Sequence, residues 1–123
     1  MEQLASLFFH SRTQAHVFHL GVKGPGSFAA HKALEGYYEE IVGLIDGLVE
    51  SYQGKNGLIK FQPVNSIDNN CDIKNIISYF EKLCTALEKL RQDKKLQDSW
   101  IQNEIDNVAK LLYSTKYKLV NLQ

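Results

Sequence analysis

The sequence predicts an all-α chain: one domain, folded as a four-helix bundle with a long crossover between its second and third helices. Three observations carry this. Apolar residues recur at three- and four-residue steps through four long segments. Both prolines, Pro25 and Pro63, fall between those segments. The one long irregular stretch, Gly54 to Cys71, sits in the middle, is long for a simple helix–helix turn, and suits a chain that must travel the length of a bundle.

The first helix runs from about Glu2 to Leu20, with Leu4, Leu7, Phe8, Ala15 and Phe18 on one apolar side. His10 and His16 lie in it too. For both, an exposed or hydrogen-bonded histidine is the simpler reading, with His16 an alternative or supporting ligand beside His19. Gly21, Gly24, Pro25 and Gly26 then break the chain, and Ser27 is a good N-cap. The second helix runs from Phe28 to about Tyr52, with Leu34, Tyr37, Tyr38, Ile41, Leu44, Ile45, Leu48 and Tyr52 inward and Gly54 as its C-terminal stop. Within Gly54 to Cys71 the cluster of Gly54, Gly57, Pro63, Asn65, Ser66, Asn69 and Asn70 reads as loop. Leu58, Ile59 and Phe61 pin it to the bundle; a short strand or one helical turn is equally compatible.

The third helix spans about Asp72 to Arg91, with Ile73, Ile76, Ile77, Phe80, Leu83, Cys84, Leu87 and Leu90 as its stripe and Asp72 as its cap. Gln92 to Lys95 makes a short polar turn. The fourth helix covers about Leu96 to Val120, with Trp100, Ile101, Ile105, Val108, Leu111, Leu112 and Leu119 inward.

Composition narrows the class. A chain of 123 residues with 44% hydrophobic and 23% charged residues is an ordinary globular domain with room for a core. Fourteen basic residues balance fourteen acidic ones, so a dedicated nucleic-acid binder is not expected. No apolar run reaches membrane-span length and no secretory leader precedes the fold, so no membrane partner is expected. Cys71 and Cys84 give neither a disulfide framework nor a CxxC pair, which makes a cytoplasmic location the default.

The chemistry concentrates between His19 and Glu50. His31 and Glu35 are four residues apart on one helical face, and so are Asp46 and Glu50. Eleven residues, close to three whole turns, separate Glu35 from Asp46, so all four point in nearly the same direction. At about 1.5 Å of rise per residue the two pairs are roughly 16 Å apart, too far to share one ion within a chain. A second copy lying antiparallel would bring Asp46 and Glu50 of one chain to His31 and Glu35 of the other, twice over. The spacing therefore predicts a homodimer through the second helix with two symmetric metal sites. His19, at the end of the preceding helix, joins them if the two helices form a hairpin. Two imidazoles with three carboxylates suit Fe(II), Mn(II) or Zn(II) rather than a thiolate-seeking metal. Helices three and four hold no histidine and no Glu-x-x-His pair exists, so a metal centre inside the single bundle is not expected. No GxSxG, Walker A or HExxH motif is present.

The run His19, Val22-Lys23-Gly24-Pro25, Phe28, His31, Glu35, Asp46 and Glu50 resembles the signature of the Dps-type miniferritins. It covers about a quarter of the chain densely and the rest in helix order. The resemblance implies a ferritin-like bundle that binds iron and oxidises Fe(II) with peroxide or oxygen, a ferroxidase activity that protects against oxidative stress and can store iron. It implies His19, His31 and Glu35 from one subunit, Asp46 and Glu50 from its two-fold mate, and, in the family, a larger cage. Three departures stand out. Leu20 occupies the family's tryptophan position, the basic N-terminal tail is missing, and the connection between helices two and three is shorter. A non-catalytic dimeric structural or interaction module on the same fold is the alternative.

Overall fold

The computed structural model describes residues 1–62 and 66–122. Pro63 and Asn65, read above as loop residues, lie outside that range. Four helices, α1 (Glu2–Gly21), α2 (Ser27–Asn56), α3 (Ile73–Leu90) and α4 (Ser99–Asn121), and one 3₁₀ turn at Lys94–Leu96 account for the regular structure among the described residues. No strand occurs among them. Cys71 and Cys84 are both free thiols.

The helices form a ring in the order α1, α2, α4, α3, with α2 packed on both α1 and α4 and α4 packed on α3. One core joins all four. Phe8 and Phe18 of α1, Tyr37, Ile41 and Ile45 of α2, Phe80 and Leu87 of α3, and Ile105 and Leu112 of α4 are buried in it. Phe80 meets Tyr37 edge-on, ring centroids 4.9 Å apart. Burying such side chains supplies the main force that holds amphipathic helices together.

The stretch after α2 runs alongside α1 toward its C-terminus. The Gln62 N–H donates to Ser6 Oγ (2.9 Å), Gln14 Nε2 donates to the Asp68 carbonyl (2.8 Å), and Cys71 lies at the end of α1 beside Gly21. Gln14 also accepts from the Asp68 N–H at 2.7 Å, so one buried amide satisfies both backbone groups of that loop residue. The connection is thus a crossover: it returns the chain to the other end before α3 begins. Phe61 reaches Phe9, centroids 5.7 Å apart, and Ile59 is half-buried, whereas Leu58, expected to pin the loop, is 90% exposed.

Helix ends depart from the sequence reading for backbone reasons. Gly26, not Ser27, occupies the N-cap of α2, with φ 78°. Gly24, at φ 99°, turns the same corner. Reversing the chain between Gly21 and Ser27 requires this left-handed backbone, which glycine adopts without steric penalty. α2 runs past Gly54 and stops at Gly57, where φ turns to 88° and the N–H bonds the Gln53 carbonyl at 2.9 Å. Asp72 precedes α3 but its side chain makes no capping bond. α4 starts at Ser99, and Trp100, expected inward, is 37% exposed: the buried stripe runs through Ile101, Ile105, Val108 and Leu112, one residue round the wheel.

No helix among the described residues is long and apolar enough to cross a membrane.

Candidate functional site

The α1–α2 corner brings His19 and His31 together. Their rings stack with centroids 3.6 Å apart and planes 21° apart. Each Nδ1 bonds the other residue's backbone carbonyl, His19 to the His31 oxygen at 2.8 Å and His31 to the His19 oxygen at 2.9 Å. A carbonyl only accepts, so both Nδ1 atoms carry their proton. In the neutral rings both Nε2 atoms then hold a free lone pair, and no hydrogen bond among the described residues engages either one. This is the tautomer that metal-binding histidines adopt when a backbone carbonyl orients them.

Sequence and local structure explain the pairing. His19 lies in the last turn of α1 and His31 in the second turn of α2. The last carbonyls of a helix have no intrahelical partner, so the His19 carbonyl is free to accept. His19 is 8% exposed, and His31 is half-buried above it.

Two further rings extend the group. Tyr38 stacks on His16, centroids 4.2 Å apart and planes 14° apart, and meets His19 edge-on at 5.3 Å. His16 itself stands edge-on to His19 at 5.9 Å. His16, Tyr38, His19 and His31 thus form a continuous run of rings along the α1–α2 seam. The sequence placed His16 near His19 but gave no sign that Tyr38 would join the two. His10 belongs elsewhere: Nδ1 bonds the Tyr79 hydroxyl at 3.3 Å and Nε2 the Ser66 carbonyl at 3.2 Å.

Glu35 sits one turn beyond His31 and accepts from Lys32 Nζ at 2.9 Å. That bond and the ammonium charge hold its carboxyl below the usual carboxylate range, and the two histidines, once protonated, pull in the same direction. Asp46 and Glu50 are exposed further along α2. No hydrogen bond or ion pair among the described residues uses either carboxylate. Of the five candidate ligands, then, one chain gathers His19, His31 and Glu35 at one end and leaves Asp46 and Glu50 at the other. Among the described residues no three His, Cys, Asp or Glu side chains converge to hold a metal ion.

A family model described as a family of unknown function (DUF5856) matches residues 24–119. The chain belongs to this family. The match takes in α2, α3 and nearly all of α4, and it includes His31, Glu35, Asp46 and Glu50 but not His19. No curated protein and no solved structure matches the chain. The family description carries no activity, so the chemistry of the site has to speak for its function.

Proposed function

We propose that this is a metal-binding protein of ferritin-like, Dps-type design, which takes up Fe(II) at sites shared between two chains and oxidises it. The observation that carries the reading is the His19–His31 pair. Its reciprocal carbonyl bonds fix two rings with free Nε2 lone pairs at the α1–α2 corner, one helical turn from Glu35. Asp46 and Glu50, free of partners in the chain, are the carboxylates a second copy would lend. This donor mixture fits iron: imidazoles bind Fe(II), and hard oxygens favour Fe(III) once an electron has left. Two Fe(II) give up one electron each, and one peroxide takes both, with two protons, to leave as two waters. The crossover geometry and the sequence resemblance support the ferritin-like assignment. A homodimer is the minimum assembly this reading requires, and a cage would add storage. Mn(II) and Zn(II) suit the same donors.

Stopped-flow absorbance after mixing anaerobic Fe(II)-loaded protein with peroxide tests the activity. A ferric signal well above that of a Glu50→Ala control is expected, and equal traces refute it.

A second reading, a non-catalytic dimeric module, is favoured by one observation. Leu20, at the tryptophan position of the miniferritins, is 73% exposed and carries no redox-active ring, which among the described residues leaves the Tyr38 phenol as the one beside His19. The stopped-flow trace separates catalysis from a structural ion, and metal analysis separates a bound ion from a polar contact. A purely polar corner retains no metal, and His31→Ala then changes nothing in the metal content.

A further inference from the structure

The outward face of α2 is built to repel a copy of itself. Glu35, Glu39, Asp46 and Glu50 fall within roughly 60° of one another around the helix, at about 100° per residue. Glu39, Asp46 and Glu50 are exposed and Glu35 is half-buried. Lys32 is the cation on this strip, and it is already bonded to Glu35. Arg12 of α1 is exposed, and no ion pair among the described residues uses it. Counting Lys32, Arg12 and Lys23, the exposed cation of the α1–α2 turn, against the four carboxylates still leaves one negative charge on each chain.

The same face also carries what a partner would cover. Phe28 is 74% exposed and Val42 39% exposed, and Leu20, across the corner on α1, is 73% exposed. Apolar contact therefore draws two copies together while the carboxylates hold them apart. Like charges a few ångströms apart weigh heavily once water between them is displaced.

We propose that this face closes on a second copy of the chain only when divalent cations bridge it, so that metal binding and dimerisation are a single equilibrium. The inference rests on the metal-site reading above. The occupant is a second copy because each end of α2 lacks what the other end has. The His19–His31 corner offers nitrogen donors and one carboxylate. Asp46 and Glu50 are carboxylates without partners, and about 16 Å of helix keeps them from that corner within one chain. An antiparallel copy supplies both deficits at once, and each bridging cation cancels two of the repelling charges. Because metal binds the dimer in preference to the monomer, added metal pulls the equilibrium toward the dimer by mass action. Metal level would then set assembly state.

Sedimentation velocity on the full chain tests this, with Co(II) as the probe and its visible absorption as an independent readout of binding. In EDTA the species should match the 14.0 kDa chain. With Co(II) its mass should double as the absorption band appears. The double variant Asp46→Asn, Glu50→Gln changes only exposed side chains, so it should fold and melt like the parent while losing the Co(II)-driven doubling. A dimer that persists in EDTA overturns the coupling and leaves the metal reading standing. A Co(II) spectrum on a chain that stays monomeric overturns it as well. A silent spectrum with an unchanged mass overturns both readings. Doubling that survives in the double variant shows that the bridge is made elsewhere and refutes the assignment.

Discussion

Replacing the interior glycines of α2 by alanine should make the isolated chain more stable. Gly36, Gly43 and Gly47 lie mid-helix, none with positive φ, and a Cβ added at any of them meets nothing within 4 Å. The substitution therefore adds no clash. It removes backbone freedom from the unfolded chain, a gain of about 1 kcal/mol per site. At this chain length that is about 4 °C in Tm for each variant and about 12 °C for the triple, if the sites add. Thermal melts by circular dichroism, run in EDTA on dilute protein, give the answer without any contribution from self-association. A drop in Tm for any single variant would refute the reasoning, because it would mean that something already packs against that face. The glycines also sit beside two like-charged pairs, Glu35 with Glu39 and Asp46 with Glu50, each four residues apart and each costing about 0.2–0.5 kcal/mol. The triple variant should accordingly be more stable than any single one.

Two other predictions concern the core and the crossover. A Cβ at Gly21 would collide with Cys71 Sγ, so Gly21→Ala should lose about 1–3 kcal/mol in urea unfolding. Adding Cys71→Ala removes the Sγ but keeps the Cys71 Cβ, 3.0 Å from the new methyl, so it should recover part of the loss, and strictly additive losses would show that the two residues do not touch. Burial pushes the Tyr37 hydroxyl well above its ordinary value of 10.0, with its bond to Ser11 opposing in part. The folded value lies above the unfolded one, so this contribution is complete below about pH 10 and is lost as pH rises, at up to about 1.4 kcal/mol per pH unit. Tyr37→Phe should flatten the alkaline decline in chemical denaturation between about pH 9 and pH 11. Tyr79, also pushed up by burial, keeps a residual slope, and an unchanged decline would sink the assignment to Tyr37.

The hydrophobic period alone determined the four helices and most of the core. Ile41, Ile45, Phe80, Leu87 and Ile105 were legible because a 3.6-residue repeat leaves one face to bury. The glycines between Gly21 and Gly26, not the period, pointed to His31 near His19, since a short turn that reverses the chain lays two helices side by side. Helix ends were less legible. Gly26 and Gly57 won over Ser27 and Gly54 because stopping or starting a helix depends on φ, and the chain outside the helix decides where φ turns positive. On α4 the phase of the stripe was legible, since Ile101, Ile105, Val108, Leu112 and Leu119 are all buried, but its width was not: Trp100 sits at the edge, where the neighbouring helices decide burial.

What tertiary structure decided is finer than topology. The crossed carbonyl bonds of His19 and His31 depend on the angle between α1 and α2, to which no spacing rule gives access. The same is true of Tyr38 lying flat on His16, and of Lys32 holding Glu35 while Asp46 and Glu50 stand exposed. Local sequence sets which residues share a helical face, because that follows from a fixed rise and turn. Which lone pairs remain free on that face is set by the helices packed beside it.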